Sequence, residues 1–453
     1  MAVGKTAILR RSFLGNLGAE LKIMIERYSL SPMRELWTLE AQYTRWLEVE
    51  LAALAALETH GDVPAGTYTA VREKVHVDPD RIARIETEIH HDLLAFIRSL
   101  EEQAGTPGRF IHQGLTSSDV KDTALALQMR DGLNLIIAEA EALKRVLTEK
   151  AAEYRNLVIV GRTHGMHAEP TTLGLKLINW AAEIARDIDR LRQAQARIGV
   201  GKLSGPVGTY SQISPEVEKR ALEQLGLRPA PVASQILQRD RHAEVLSAIA
   251  ITGASLEKIS LEIRHLSRTE VSEVEEPQPE GSSSMPHKRN PITAERICGL
   301  ARVLRANLQA ALENIALWHE RDISHSSVER VVIPDSFLLV HYMLVKTGQL
   351  ISGLVVNRDQ ITENLHLTRG AIYSQAVLLK LVKAGMPRSD AHEAVRQAAE
   401  RAVREKIDFF AALREDPKVA SVLASTKLTE DMLLSRVKEM SARIIEEVRK
   451  EIG

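Results

Sequence analysis

Eleven consecutive residues, Gly281-Ser282-Ser283-Ser284-Met285-Pro286-His287-Lys288-Arg289-Asn290-Pro291, suit a mobile, anion-binding catalytic loop and fit a packed core poorly. The glycine and three serines make a backbone able to move and to offer N–H groups to an anion. Lys288, Arg289 and Asn290 set two positive charges and an amide beside those donors. Pro286 and Pro291 keep the segment out of a helix and stiffen its ends. Upstream, Pro277 and Pro279 stop a long helical pattern; downstream another begins. The loop therefore reads as suspended between two long helices.

Other clusters have residue types suited to proton transfer and anion binding. Thr163-His164-Gly165-Met166-His167 sets two histidines beside a flexible glycine. Imidazole transfers protons near neutral pH, so one histidine can act as general acid while its neighbour positions substrate. Taken alone, the segment also fits a loop whose histidines cap helices. A His-x-x-His zinc site is a third reading, but it has no nearby cysteine and only Glu169 as a carboxylate. In His90-His91-Asp92 the carboxylate can fix a tautomer or hold an imidazolium. Adjacent residues on a helix point apart, which suits a solvated polar patch instead.

Gly114-Leu115-Thr116-Ser117-Ser118-Asp119 reads as a helix N-terminus leading into a run from Val120. Such an end binds carboxylate or phosphate through free N–H groups and hydroxyls, or is simply capped by them. The stretch Trp318 to Arg330 mixes Arg, Ser and His, and Arg321 and Arg330 can clamp a phosphate. A surface face of ion pairs is the alternative. Gln235 to His242, with Arg239 and Arg241, has the same two readings. Five polar clusters besides the loop, in a helical chain, are more than capping alone calls for. With no metal set and no dinucleotide glycine pattern, they suit an enzyme acting on a polyanionic substrate by acid/base chemistry.

The elements that must position these clusters are helices. Apolar residues repeat every three or four positions in Leu133, Ile136, Ala140, Leu143 and Leu147. The same repeat runs through Leu177, Ala181, Ile184, Ile188 and Leu191, and through Leu256, Ile259, Ile263 and Leu266. Leu304, Leu308, Leu312 and Ile315 make a fourth. Each puts one seam on a helix and suits near-parallel packing in a bundle. Residues 232–276 and 292–333 lack proline, which allows helices of 30 residues or more, about 45 Å long. Residues 105–120, 161–174, 201–215 and 273–291 are the breaks, and 201–215 can form a short hairpin. The expected fold is all-α: a flexible extension (1–23), an N-terminal helical domain (24–115), a central long-helix bundle with the catalytic loop (116–365) and a C-terminal helical domain (366–453).

Composition bounds the partners. The chain has 453 residues, 44% apolar and 26% charged, enough for two or three domains. A net charge of −1 gives no bulk electrostatic case for nucleic acid or membrane. No run of 18 apolar residues is present to span a bilayer. The one cysteine, Cys298, excludes an intrachain disulfide and suits a reducing cytoplasm. In residues 1–23, Lys5, Arg10 and Arg11 precede the first acid, Glu20. This segment reads as a flexible basic tail or the product of a start upstream of Met24, with a transit-type presequence as the third reading.

The loop at 281–291 resembles the signature loop of the fumarase/aspartase superfamily, whose members eliminate fumarate. Its MPHKRNP form, the segment WHERDISHSS with Glu329-Arg330, and Arg27-Tyr28-Ser29 followed by Pro32-Met33 and Trp37 are similar to the adenylosuccinate lyase family within it. The resemblance runs from about Met24 to the C-terminus. It implies that Ser282 is the general base and His164 the general acid, with Glu295 paired to that histidine. It implies that His91 orients substrate near its phosphate, and that Lys288 and Asn290 bind the succinyl carboxylates, with Thr116 and Ser117 nearby. Arg27, Tyr28, Arg321, Ser326 and Arg330 match a nucleotide and phosphate site. Gln235 matches a substrate-contacting glutamine, and His90, Asp92, Ser283 and Met285 fall among the substrate contacts. Ser284 and Gln113 depart from the family's usual residues. The implied reaction uses no metal or other cofactor. The implied assembly is a homotetramer with sites shared between chains, acting on a small nucleotide substrate.

Overall fold

The first three apolar seams are buried throughout: each residue from Leu133 to Leu147, from Leu177 to Leu191 and from Leu256 to Leu266 named above is at most 4% exposed. They belong to helices Ser117–Glu153, Leu173–Ile198 and Asp240–Leu266. The structure is a computed structural model that describes residues 26–277, 279–281, 284–426 and 429–453. Residues 1–23, Ser282 and Ser283 lie outside the described residues. The chain is all-α in character, and among the described residues eight short strands form four two-stranded ladders.

The fourth seam departs from expectation. Leu304 is buried, but Leu312 and Ile315 are both 46% exposed. The helix carrying Leu304 and Leu312, Ile292–Glu313, stops short of Ile315, and a new one, Ser324–Ser352, runs through Pro334. No proline is needed for the break. The Asp322 carboxylate accepts the Trp318 and Ser324 N–H groups, each at 2.8 Å, and so starts a second helix. Residues 232–276 likewise yield a 27-residue helix, Asp240–Leu266, rather than one of 30 or more.

Two compact units are present. One comprises 26–138, 189–251 and 302–342. Its core includes Tyr43, Trp46 and Phe96, whose rings lie 5.2–5.9 Å apart. Helix Leu39–His60 is started by Thr38, whose hydroxyl accepts the Ala41 N–H, and ended by Gly61 at φ +94°. The other unit comprises 139–188, 252–301 and 343–453. Within it, Val377, Leu381, Phe409 and Leu413 centre a cluster of short helices.

The hairpin lies elsewhere than expected. Residues 202–214 form no strand; Val200–Gly201 instead pairs in parallel with Arg228–Pro229. The antiparallel hairpin is Val158–Thr163 with Met166–Thr172, inside a stretch whose sequence reads as a break. Its two-residue turn, His164-Gly165, has positive φ at both positions (+55° and +77°), the pattern of type I′ turns. Gly161 sits at the register shift, where a Cβ would come within 2.6 Å of the Glu169 carbonyl oxygen. Among the described residues, no helix is long and apolar enough to cross a membrane.

Candidate active site

In the first unit, a cavity of about 230 Å³ joins cations to indole rings. Arg321, Ser326 and Arg330 line it from the segment that starts helix Ser324–Ser352; Lys121 lines it from the first turns of Ser117–Glu153. Trp37 and Trp46 form part of the wall, and the Lys121 ammonium lies 5.4 Å from the Trp46 ring centre. Cations beside flat apolar walls can hold an aromatic ring that carries an anionic group.

Asp92 ties two of these cations together. Its carboxylate meets Lys121 and Arg330, each at 2.5 Å. Burial pushes this carboxyl up, but the two cations outweigh burial and hold it down at about 2. The His90-His91-Asp92 cluster is a joint between helices, not a helix interior. His90 ends Pro79–Ile89 in the left-handed region at φ +54°. His91 begins Asp92–Ala104, its Nδ1 accepting the Leu94 N–H at 3.2 Å. The joint leaves His90 exposed and His91 half-buried, without placing either on the cavity wall.

A buried ionic network forms part of the cavity wall. Arg239 donates to Asp122 at 2.6 and 3.0 Å and to Glu329 at 2.8 and 3.2 Å. Its guanidinium is therefore committed to two carboxylates, so of its two sequence readings the ion pair holds, in the interior rather than at the surface. His325 Nδ1 lies 3.0 Å from Glu329, and Arg321 Nε lies 3.3 Å from His325 Nε2. Burial raises the Glu329 carboxyl, but His325 and Arg239 hold it at about 2. His242, fully enclosed, has no hydrogen-bond partner at either ring nitrogen among the described residues, and burial together with Arg239 pushes it down to about 4.

Thr116 and Ser117 start the 37-residue helix as expected. The Asp119 carboxylate accepts the Thr116 N–H at 2.9 Å, and the Asp119 N–H donates back to Thr116 at 2.9 Å. Asp119 is itself buried against Lys202. Ser118, not Thr116 or Ser117, reaches the cavity wall. Arg27, Tyr28 and Gln235 do not line it; Tyr28 instead packs edge-on against Tyr342 at 5.2 Å.

The second unit holds the remaining candidates. His164 is exposed at the tip of the hairpin. Arg162, on the same hairpin, is fixed by Glu273 at 2.5 and 3.1 Å, and Asn364 donates to that carboxylate at 2.9 Å. The segment 281–290 is closed at its base by pairing of Glu280–Gly281 with Arg289–Asn290. Arg289 is further held by Glu275 at 2.9 Å. Lys288 and Met285 are exposed, Asn290 is half-buried, and the Lys288 N–H donates to the Met285 carbonyl at 3.0 Å. Ser282 and Ser283 lie outside the described residues. Glu276 accepts the Thr293 and Ala294 N–H groups, capping the helix that carries Glu295. Glu295 is exposed, and no hydrogen bond or ion pair among the described residues joins it to His164.

Sequence reasoning gave no individual site role to Lys121, Trp37, Asp122 or His325. Lys121 and Asp122 follow the predicted helix start within one turn, and His325 and Glu329 are four apart on one helix. Those spacings were the available signal. Among the described residues, no group of three His, Cys, Asp or Glu side chains is placed to hold a metal ion.

Comparison with known proteins places the chain. Residues 26–305 match the family described as Lyase, and residues 370–448 match the one described as Adenylosuccinate lyase C-terminus. A relative from Thermotoga maritima named adenylosuccinate lyase is 45% identical over 431 residues, covering 94% of this chain and 100% of the relative. One of the same name from Bacillus subtilis is 43% identical, covering 90% and 95%. The solved 3-carboxy-cis,cis-muconate lactonizing enzyme from Pseudomonas putida superposes with a TM-score of 0.84 at 29% identity, covering 94% of this chain and 98% of that one. Full-length identity at this level, together with the matched C-terminal family, means that the chain belongs to the adenylosuccinate lyase family.

Proposed function

We propose that this protein eliminates fumarate from adenylosuccinate to give AMP. In the same proposal it acts on the succinylated aminoimidazole carboxamide ribotide, which also carries a ribose phosphate and a succinyl group. The carrying observation, in a chain of this family, is the cavity with Lys121, Arg321 and Arg330 against two indole rings, a match for a purine bearing a phosphate.

Elimination removes a weakly acidic C–H and breaks a C–N bond, so negative charge develops on a carboxylate-stabilised carbanion. Lys288, Asn290 and loop N–H groups would stabilise that charge. Ser282 takes the proton, His164 protonates the leaving nitrogen and Glu295 partners His164. A serine hydroxyl is a weak base, so it must ionise in a dry site against fixed positive charge or relay its proton. His91 orients substrate; His90, Asp92, Thr116, Ser117, Gln235, Ser283, Met285, Arg27 and Tyr28 complete the contacts.

The proposal includes a cytoplasmic homotetramer with sites built from several chains, and a C-terminal domain starting near 366. The separate family match over 370–448 supports that boundary. Shared sites are tested by mixing Ser282→Ala with His164→Ala under conditions where subunits exchange. Recovered turnover supports them; none, with exchange demonstrated, counts against them.

A further inference from the structure

The three cavity arginines differ in how their charge is used. Arg239 is spent on two buried carboxylates, and Arg330 on Asp92. Arg321 has no carboxylate partner among the described residues, and its anchor is an imidazole nitrogen, His325 Nε2, at 3.3 Å. A guanidinium only donates hydrogen bonds, so Nε2 must offer a lone pair. The ring proton then sits on Nδ1, which donates to Glu329 at 3.0 Å. An Arg239 NH2 group also lies 3.3 Å from Nδ1, but it already reaches Asp122 at 3.0 Å and Glu329 at 3.2 Å, so it needs no imidazole lone pair.

We infer that His325 is a positioning residue: a neutral spacer that passes the orientation of the buried Asp122–Arg239–Glu329 network to Arg321 while leaving the Arg321 charge free for an anionic ligand group. A carboxylate in the same place would hold Arg321 as firmly but would neutralise it. The imidazole separates the two effects. Set in the cavity wall at 3% exposure, His325 is fixed on one side by Glu329, so the direction of its lone pair is set by the fold. This inference rests on the proposed nucleotide site, since it takes Arg321 to touch the ligand.

The test is a double-substitution cycle on the full-length enzyme, read as KM for adenylosuccinate and as AMP affinity by calorimetry. His325→Asn keeps a donor near Glu329 but withdraws the acceptor from Arg321; His325→Gln restores an amide oxygen near the Nε2 position. His325→Asn and Arg321→Met are each expected to raise KM and the AMP dissociation constant about tenfold, with kcat within about threefold, and His325→Gln to recover most of the loss. The double variant His325→Asn/Arg321→Met is expected to be no worse than Arg321→Met alone. Fully additive losses, or a His325→Asn protein that melts earlier yet binds AMP normally, would overturn the inference. AMP affinity indifferent to Arg321→Met would overturn it too. A parent enzyme that binds AMP but releases no fumarate would sink the proposed reaction instead, leaving the AMP cycle to decide the role of His325.

Discussion

Arg330 and Asp92, 238 positions apart in the chain, meet at 2.5 Å. The contact joins two clusters that the sequence presents separately, the histidine-aspartate joint and the arginine-serine segment. Asp92 also holds Lys121, so one carboxylate aims two cations at the rim of the cavity. Arg330 keeps 57% of its side chain exposed, which leaves it able to meet a ligand.

Arg330→Met should therefore act on binding more than on folding. An ion pair this exposed contributes about 1 kcal/mol or less, so the melting temperature should move little. KM for adenylosuccinate should rise about tenfold with a smaller change in kcat. Steady-state kinetics beside a melting curve check this; an unchanged KM contradicts it.

Arg239→Met should do the opposite. It leaves Asp122 and Glu329 as buried carboxylates without their cation, a loss of about 3–5 kcal/mol. A large fall in melting temperature is expected. A stable variant with only a raised KM would instead make Arg239 a ligand clamp.

His242 gives the protein a signature in mild acid. Its folded value, about 4, lies below the ordinary 6.5 because of burial and then Arg239, so the unfolded chain takes up the proton first. The stability from keeping it neutral is present above pH 6.5 and is lost as pH falls toward 4, at most about 3 kcal/mol. Asp92 and Glu329, held at about 2, lose their contribution only below the ordinary carboxylate range. Melting temperatures of His242→Leu at pH 7 and pH 5 should differ less than those of the parent. Parallel losses would refute this origin.

Gly165→Ala probes the His164 turn without a collision among the described residues, since a Cβ there meets none of them within 4 Å. The cost is conformational, about 1 kcal/mol for an L-residue in the left-handed region. If His164 is the acid, the altered turn displaces it and kcat falls about tenfold or more with little loss of stability. An unchanged kcat would speak against His164.

The long helices are legible in the sequence because a repeat such as Leu133 to Leu147 is local and each member faces the core. The hairpin is not. Val158-Ile159-Val160 is too short a run to separate strand from helix, and Gly161, Gly165 and Pro170 read as a loop. Its pairing depends on two positive φ values and on Gly161 approaching Glu169, neither of which is a pattern along the chain. Individual site residues are recognisable by type, but their partners are not. Glu329 lies four residues from His325, yet what buries the pair is Arg239, 90 positions from Glu329.

The central claim is that this chain breaks the C–N bond of adenylosuccinate. Its most direct test follows fumarate and AMP released by the purified protein without added metal. The account predicts equal amounts of both products, and loss of most turnover in Ser282→Ala and His164→Ala with substrate binding retained. A folded protein that binds adenylosuccinate and releases no fumarate would contradict it.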